Sequence, residues 1–584
     1  MNIRRQLEER LSAALLAAVG KPMPAMVAPA AKAEFGDYQA NGIMAAAKAA
    51  KTNPRKLAEA VLAKVDLSGL SEKVEIAGPG FINIHLRNEF LTAGVNALAA
   101  DARLGVPPPD RPQRVVVDYS APNLAKEMHV GHLRSTIIGD CLANLLVFTG
   151  QDVTRQNHVG DWGTQFGMLL AYMDRLGQSG QSADISDLEE FYRSSKALFD
   201  SDEDFARTAR DYVVRLQAGD EHCRRNWESF LDQSLRHCEE IYQALGVRLT
   251  RADVYGESAY NADLPKVVGD LRAKGLLKES QGAQCVFLDE FKDAEGLPLP
   301  VIVQKSDGGY LYATTDLAAI RYRVGTLHAD RILYVTGSPQ ALHFAQVFAV
   351  ARKADFAPGD VQLEHIGFGS MLGPDGKPFK TRAGGTVKLM ELLDEAKKRA
   401  YELVTGKNAA DVAAGRANEL DEQQRREVAR AVGIGAVKYA DLSQNRTSDY
   451  VFSFEKMLAL DGNTAPYMQY AYARVMSIFR KAGLEVESVQ ASPIQLDQPQ
   501  ERALGLKLLQ FSEVIDSVAA NCQPNLLCSY LYDLARDFTG FYEACPVLDS
   551  PEPVRSSRLA LSAGAARVIR TGLDLLGIQT VEQM

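Results

Sequence analysis

The segment 115–163 constrains the fold of this chain more than any other, because it contains a strand, a polar turn, a long helix and a second strand. Val115–Val117 is a short apolar, β-branched run typical of a buried strand. From Leu133 onward the apolar residues recur at helical spacing until Gly150. Such a unit predicts an α/β protein with a doubly wound parallel sheet, in which ligands bind at the carboxyl ends of the strands.

The turn between this strand and helix contains residues suited to phosphate chemistry. His129 and His132 are three residues apart, on one face of the first helical turn, and Gly131 between them lets a base or phosphate approach the backbone. Free amides and the positive end of the helix dipole favour an anion there, and Lys126 adds a cation. The pattern predicts a nucleoside triphosphate site. The alternative is a pair of surface histidines at a helix start, since HxGH recurs by chance.

Two longer motifs add specificity to this region. The sequence SAPNLAKEMHVGHLRST at 120–136 resembles the HIGH signature of class I aminoacyl-tRNA synthetases, in the extended form of arginyl-tRNA synthetases. NHVGDWGTQFGM at 157–168 resembles the segment that follows it in bacterial members. The resemblance runs over essentially the whole chain. It implies a Rossmann-like catalytic domain that uses ATP with Mg²⁺, L-arginine and a tRNA.

A glycine-rich loop after residue 365 contains Lys377, Lys380 and Arg382, so it is either a phosphate clamp or an exposed basic turn. It lies where class I synthetases have KMSKS, and Lys377–Thr381 fits only KxxKT. The active lysine is therefore left open among Lys380, Lys377 and Lys126. The resemblance implies these site residues: His129, His132, Lys126 and Lys380 in catalysis, and His129, Gly131, His132, Lys377 and Lys380 at the nucleotide.

An amino-acid pocket is expected from the later strands. The strand at 301–304 leads to Tyr312, and Asp316 is predicted to open a helix, where its default role is an N-cap. The resemblance implies an arginine pocket formed by Asp118, Asn123, Tyr312, Asp316 and Gln346. A guanidinium is planar and permanently charged with five donors, so carboxylates and amide oxygens arranged as a fork would recognise it. We expect Asp118 and Asp316 to share one cavity with both histidines.

The chain is predicted to contain four regions. Residues 1–110 form an N-terminal α/β domain with helices at 3–19 and 41–65 and a strand within VEIAGPGFINIHL, and a linker with four prolines follows. Residues 111–390 form the catalytic domain, with an insertion at about 170–300 that includes a charged helical run. A helical connector at 391–450 and an all-α bundle at 451–584 complete the chain. The resemblance implies tRNA contact by the first region and anticodon binding by the last.

Four residues are candidates for tRNA contact. By the resemblance, Phe81 and Asn83 would lie near the outer corner of tRNA. Tyr467 and Arg474 lie on neighbouring turns of one predicted helix, and tyrosines beside an arginine can stack on unpaired bases. The alternatives are ordinary ones: aromatic side chains in a core, and an asparagine that satisfies a turn.

Composition limits the cellular context. The net charge of −9 means that any RNA contact is a local basic patch. No apolar run approaches the roughly 20 residues that a membrane span needs. The seven cysteines lack any CxxC spacing, which predicts a reducing compartment and no zinc site. We expect a cytoplasmic monomer with no metal of its own and an amphipathic first helix in place of a transit peptide.

The resemblance implies a two-step reaction. Arginine would attack the α-phosphorus of ATP to give arginyl-adenylate, and a hydroxyl of the terminal tRNA ribose would then take the arginyl group. In this family the first step commonly requires bound tRNA. Two alternatives stand beside it: another class I synthetase or HxGH nucleotidyltransferase, and a non-catalytic RNA-binding paralogue.

Overall fold

The computed structural model describes residues 1–178, 188–377, 379, 387–415, 419–489 and 492–584, so Lys380 and Arg382 lie outside the described residues. The chain forms two compact units. The central unit is Pro109–Ala459 with Leu575–Gln579, and the terminal unit is Met1–Pro108 with Leu460–Asp574 and Thr580–Met584. The two ends of the chain, predicted as separate domains, thus belong to one compact unit.

The first part of the terminal unit is α/β, as predicted. Its elements are α1 (Ile3–Val19), β1 (Val27–Pro29), β2 (Tyr38–Ala40), α2 (Ile43–Ala49), α3 (Pro54–Leu62), β3 (Ser71–Ala77), β4 (Phe81–Leu86) and α4 (Asn88–Ala100). The single helix predicted at 41–65 is wrong: Pro54 lacks an amide hydrogen and begins α3, which the Asn53 side chain caps. The strand predicted within VEIAGPGFINIHL is two strands, an antiparallel hairpin.

The central unit contains most of the strands. Its elements are β5 (Arg114–Asp118), α5 (Val130–Phe148), β6 (Asp152–Gln156), α6 (Thr164–Gln178), α7 (Leu188–Ser201), α8 (Glu203–Gln217), α9 (Glu221–Leu245), α10 (Leu264–Ala273), β7 (Leu277–Ser280), β8 (Ala283–Lys292), β9 (Pro298–Gln304), α11 (Tyr312–Gly325), β10 (Arg331–Tyr334), α12 (Ala341–Lys353), β11 (Gln362–His365), β12 (Met371–Leu372), α13 (Leu389–Ala413), α14 (Glu422–Leu442), β13 (Tyr450–Val451) and α15 (Phe454–Met457).

A four-stranded parallel sheet in the order β11-β10-β5-β6 organises this unit. The chain leaves β5 for β6 on one side and later places β10 on the other side. The strand order therefore reverses between β5 and β10, which is where such sheets bind ligands. Helix α5 is buried along most of its length, including its polar residues Arg134, Asp140 and Asn144. The predicted strand, helix and strand at 115–163 are thus confirmed.

The strand predicted at 301–304 exists within β9, but it does not belong to the parallel sheet. It pairs with β8 in a separate antiparallel sheet of order β7-β8-β9. The reason is the short connection between β8 and β9, because a short turn can join only antiparallel neighbours, whereas a parallel pair needs a longer crossover.

The remaining helices complete the terminal unit: α16 (Ala465–Ala482), α17 (Val486–Val489), α18 (Pro499–Leu509), α19 (Phe511–Asn521), α20 (Asn525–Ala544) and α21 (Val554–Leu575). Charged groups tie this bundle to the amino-terminal part. Arg502 donates two hydrogen bonds of 2.8 Å to Asp37, and the Tyr38 hydroxyl donates one of 2.7 Å to Glu513. Contacts between residues more than 450 positions apart thus explain why the two ends form one unit.

The region after residue 390 was predicted to be entirely helical, but it contains one short strand. Tyr450–Val451 pairs in parallel with Met371–Leu372, directly before the lysine-bearing loop. This pairing fixes the start of that loop to the central unit. Among the residues described, no helix is long and apolar enough to cross a membrane.

Candidate active site

A cavity of about 500 Å³ lies at the carboxyl ends of β5 and β10, where the strand order reverses. Asp118 ends β5, and Thr336 and Gly337 follow β10. The fold thus places the cavity where the sequence predicts a ligand site. Its lining includes six residues predicted for the nucleotide or arginine: Asp118, Asn123, Gly131, His132, Tyr312 and Asp316.

The histidine turn is held by its own backbone. His129 is the N-cap of α5; its Nδ1 accepts a hydrogen bond from the Gly131 amide (3.0 Å), and Nδ1 of His132 accepts one from the His129 amide (3.1 Å). The ring centroids are 4.1 Å apart. Because both Nδ1 atoms accept, both Nε2 atoms carry the proton and are available as donors. A Cβ at position 131 would meet the His129 ring at 2.7 Å, so only glycine fits.

Both imidazoles are neutral at physiological pH. Burial, with the nearby His129 ring, lowers the pKa of His132 to about 4. Burial and the Lys126 ammonium lower the pKa of His129. The two side chains therefore act as uncharged hydrogen-bond donors.

The amides of the first turn are not free, contrary to the prediction. The amide of Val130 donates to the Val387 carbonyl (3.1 Å), that of Gly131 to the His129 ring and that of His132 to the His129 carbonyl (2.9 Å). These three donors are therefore used within the protein and are not available to a ligand. The dipole of α5 still favours negative charge at this end.

The lysine-bearing loop returns to the histidine turn. The Leu389 amide donates to the Met128 carbonyl (3.0 Å), and the ammonium of Lys388 contacts Glu127 (2.9 Å) and Glu189 (3.2 Å). Lys377 lies in an exposed turn at the near end of the loop, and Lys380 lies outside the described residues. The far end of the loop is therefore fixed beside the histidine turn.

Lys126 is exposed and its Nζ lies 4.8 Å from the centroid of the Tyr192 ring. Neither Lys126 nor Lys377 lines the cavity, and the same holds for His129, whose ring lies against that of His132. In the described part of the chain, therefore, none of the predicted lysines lines the cavity.

Asp118 already has a guanidinium partner inside the protein. Its Oδ2 accepts a hydrogen bond of 2.8 Å from Arg323, which is completely buried, and lies 3.8 Å from Nδ1 of His158. Burial alone would raise the pKa of Asp118, but the charges of Arg323 and His158 hold it below its ordinary value. Asp118 therefore contributes little free charge to a ligand.

Asp316 does not open a helix, so that prediction is wrong, and the alternative that Asp316 is only an N-cap is excluded as well. Helix α11 begins at Tyr312 after an extended Leu311, and Asp316 lies one turn inside it. Its Oδ2 is 2.6 Å from Nε2 of His343, which also lines the cavity. Tyr312 is 73% exposed, so it forms the rim and not a buried wall.

Glu257 is a cavity residue that the sequence pattern did not indicate. It begins a short 3-10 helix, Glu257–Tyr260, in the region predicted as an insertion, and its amide donates to the Val159 carbonyl (3.1 Å). Its carboxyl makes no hydrogen bond to any residue that the structure describes. Burial raises its pKa to about 7, against the opposing charge of His158. No local motif marks it, because only tertiary contacts bring it to the cavity.

The loop bearing Glu257 is fixed by Asp161. The Asp161 carboxylate accepts hydrogen bonds from the amide (2.8 Å) and hydroxyl (2.6 Å) of Ser258. A Cβ at Gly256 would lie 2.3 Å from the same carboxylate, so glycine is needed for this approach. The segment after β6 thereby holds Glu257 at the cavity.

Helix α12 contributes a different residue from the one predicted. His343 lines the cavity, as does Gln340 just before the helix, whereas Gln346 is not among the described residues that do so. Gln346 lies one helical turn beyond His343. Its assignment to the arginine pocket stays a prediction.

Of the residues considered for tRNA contact, one is inaccessible. Asn83 is 2% exposed and accepts a hydrogen bond of 2.7 Å from Gln39. Phe81 is half-buried, as are Tyr467 and Arg474. Tyr467 and Arg474 face rings of α20, with Arg474 4.9 Å from the centroid of Tyr542. Phe81, Tyr467 and Arg474 therefore remain candidates.

Three family models match the chain. Residues 1–86 match the arginyl tRNA synthetase N terminal domain, and residues 95–454 match the catalytic domain of class I (R) tRNA synthetases. Residues 468–584 match the DALR anticodon binding domain. The chain belongs to the arginyl-tRNA synthetase family. This confirms the resemblance drawn from the HIGH-like signature and its following segment.

Relatives within the arginyl-tRNA synthetase family match the chain over its full length. The arginine–tRNA ligases of Hahella chejuensis and Chromobacterium violaceum are each 57% identical, over 589 and 586 residues, and all of each chain is covered. The arginyl-tRNA synthetase of Plasmodium falciparum has a TM-score of 0.85 at 30% identity, with 100% of this chain and 99% of that chain covered. The Thermus thermophilus enzyme has a TM-score of 0.82 at 27% identity, with both chains fully covered. The predicted fold class is confirmed.

Proposed function

We propose that this chain joins L-arginine to the 3′ end of its tRNA at the expense of ATP. One observation carries the proposal: a single cavity is lined both by the neutral imidazole of His132 and by the carboxyl groups of Glu257 and Asp316, which have no internal guanidinium partner among the described residues. The imidazole suits phosphate chemistry and the carboxyl groups suit a cationic side chain. Family membership supplies the substrates.

The arginine side chain would bind between Glu257 and Asp316. Their carboxylates form charge-assisted hydrogen bonds to a guanidinium, and Tyr312 at the rim covers its plane. Asp118, neutralised by Arg323, would orient the α-amino end together with Asn123. A lysine substrate would leave buried acceptors unpaired, and that penalty supplies the discrimination.

The triphosphate of ATP would lie along the first turn of α5. Gly131 lets it approach, and the Nε2 hydrogens of His129 and His132 stabilise the charge that grows on the α-phosphate. Lys126, Lys377 and Lys380 would share the charge of the outer phosphates when the loop closes. In the described part of the chain, no group of three His, Cys, Asp or Glu side chains could hold a metal. Mg²⁺ would arrive on the phosphates of ATP, since this ion is usually bound through substrate phosphates and few protein ligands.

In the first step, a carboxylate oxygen of arginine forms a bond to the α-phosphorus while the bond to the bridging oxygen of pyrophosphate breaks. In the second step, a ribose hydroxyl of the terminal adenosine attacks the carbonyl carbon, loses its proton, and AMP leaves. The protein supplies position and electrostatic stabilisation without a covalent nucleophile. We expect the first step to be slow without tRNA.

The tRNA would contact the terminal unit through Phe81, Tyr467 and Arg474. We retain the four functional regions as part of the proposal: 1–110 for the corner of tRNA, 111–390 for catalysis, 391–450 as a connector and 451–584 for the anticodon. The paired Tyr467 and Tyr532 rings, with centroids 5.7 Å apart, support base stacking in the last region.

The enzyme is proposed to act as a cytoplasmic monomer. The seven cysteines, all in the described part of the chain, form no disulfide, which suits a reducing compartment. Light scattering after size-exclusion chromatography measures the mass directly, and a stable dimer would refute this part.

An aminoacylation assay with each of the twenty amino acids tests the main proposal. We expect charging with arginine alone, whereas charging with cysteine or glutamate would refute the assignment of substrate. The His132→Ala variant separates catalysis from binding, because it should lose aminoacylation and keep tRNA affinity. Unchanged product formation in that variant would remove His132 from the mechanism.

A further inference from the structure

The backbone between Asp118 and Asn123 has two consecutive residues in the left-handed region. Ser120 has φ +70° and Ala121 has φ +45°, and neither is glycine. The Ala121 amide donates to the Tyr119 carbonyl (3.0 Å), so Ser120 is the centre of a γ-turn of the rare, strained kind. Both residues line the cavity. Strain of this kind persists only where surrounding contacts impose it.

Buried polar side chains from three elements impose this conformation. The Ala121 amide also donates to Oδ1 of Asn157 (3.0 Å), and the Ser120 amide donates to Oγ of Ser135 (3.0 Å). Asn157 in turn donates from Nδ2 to the Tyr242 hydroxyl (3.0 Å). The Tyr242 hydroxyl hydrogen can therefore point to Oγ of Ser120, 2.8 Å away. Asn157, Ser120 and Tyr242 are each at most 4% exposed.

We propose that Tyr242, on helix α9 of the insertion, is a positioning residue for arginine binding, and that it acts with Asn157 by holding the strained turn 119–122. The turn lies between Asp118 and Asn123, which both line the cavity. If the turn relaxed toward ordinary backbone angles, the two side chains would leave their places. Tyr242 touches no substrate itself. The inference rests on the proposed function, because it concerns the amino-acid end of that site.

The Tyr242→Phe variant removes only the hydroxyl. We expect the KM for arginine to rise about tenfold in tRNA-dependent pyrophosphate exchange, the loss typical of a buried hydrogen bond, while the KM for ATP changes less. The matched control is Tyr530→Phe, which removes a hydroxyl that donates to the Lys507 carbonyl (2.8 Å) in the terminal unit. That control should leave both constants unchanged.

A rescue experiment distinguishes positioning from a merely structural role. Glycine adopts the left-handed region without steric cost, so Ala121→Gly makes the turn less dependent on its clamp. Tyr242→Phe should therefore raise the KM for arginine less in the Ala121→Gly background than in the wild type. If Tyr242 only supports the packing of α9, Tyr242→Phe should raise the KM for arginine by the same factor in both backgrounds.

The strain itself has a separate readout. Ala121→Gly should not lower the melting temperature, whereas Ala414→Gly, at an exposed position with φ −88°, should lower it. If the melting temperature falls equally in the two variants, the backbone at Ala121 is not strained. A folded Tyr242→Phe enzyme with wild-type KM for arginine would overturn the inference alone. Wild-type enzyme that fails to charge arginine would instead overturn the proposed function.

Discussion

Glu257 in the central unit is half-buried and Glu513 in the terminal unit is buried, and desolvation raises the pKa of both carboxyl groups. Glu513 accepts hydrogen bonds from the Tyr38 hydroxyl (2.7 Å) and the Arg4 amide (2.8 Å). The Glu257 carboxyl makes none to the residues that the structure describes, and it faces a cavity.

The difference between the two carboxyl groups shows that a raised pKa alone does not distinguish a structural acid from a ligand-binding one. A buried acid that the protein supplies with donors is part of the packing, since its desolvation is offset within the fold. At a cavity, an acid that the protein leaves without hydrogen-bond donors can obtain those donors from a ligand. By this criterion Glu513 is a structural residue that joins the two ends of the chain, and we expect Glu257 to bind the cationic side chain of the substrate.

The largest expected effect is on substrate binding at Glu257. Glu257→Gln should lower kcat/KM for arginine by about 100- to 1,000-fold, the cost of removing one charge from a buried ion pair. The position of Tyr312 and the fold should not change, and the free energy of unfolding at pH 8 should not fall. Steady-state pyrophosphate exchange with tRNA measures the first quantity and denaturant unfolding the second. Wild-type kcat/KM for arginine in Glu257→Gln would contradict the assigned difference between Glu257 and Glu513.

The pH dependence of arginine binding should follow the same carboxyl. The pKa of Glu257 is raised to about 7, so below that pH the group is neutral and binds a guanidinium poorly. The KM for arginine should fall about tenfold per pH unit as the pH rises toward 7 and then level off. The folded state binds more protons here than the unfolded state, so this group lowers stability as the pH rises from about 4.5 to 7.

Glu257→Gln is the control for that profile. Both the slope in KM and the contribution of Glu257 to the pH-dependent loss of stability should disappear in this variant, because glutamine does not titrate. A profile that keeps its shape would assign the titration to a group other than Glu257.

The same substitution at Glu513 should affect stability and not substrate binding. Glu513→Gln replaces a charged acceptor of two hydrogen bonds by a neutral one, which should lower the free energy of unfolding by about 1–2 kcal/mol. The KM for arginine should stay at its wild-type value. A large change in that KM, with stability preserved, would contradict a purely structural role.

The smallest expected effect concerns the residue that positions Glu257. Ser258→Ala removes a hydroxyl that donates to Asp161 (2.6 Å) and should raise the KM for arginine about three- to fivefold without changing kcat. Ser562→Ala is the matched control, since it removes a buried hydroxyl that bonds to the Arg558 carbonyl (2.8 Å) in the terminal unit. Equal arginine kinetics in both variants would show that Asp161 does not position the carboxyl.

Features carried by neighbouring residues were predictable from the sequence. The strand, turn and helix at 115–149 depend on spacing, a proline and a terminal glycine, and the histidine cap joins residues three positions apart. The residues of the arginine pocket were harder to predict. The resemblance identified Asp118 and Asp316, but it did not indicate their partners Arg323 and His343. Asn83 shows the limit: the sequence did not reveal that it is buried in a central strand.

The sequence by itself determined the fold class, the family and the position of the histidine turn, since these follow from local periodicity and from contiguous motifs. Only the tertiary structure decided how charge is distributed in the cavity. Arg323 neutralises Asp118 across 205 positions of sequence, and Glu257 reaches the cavity through its contact with Val159. The physical reason is that the energy of a buried charge depends on its nearest partners in space, and sequence spacing does not record those partners.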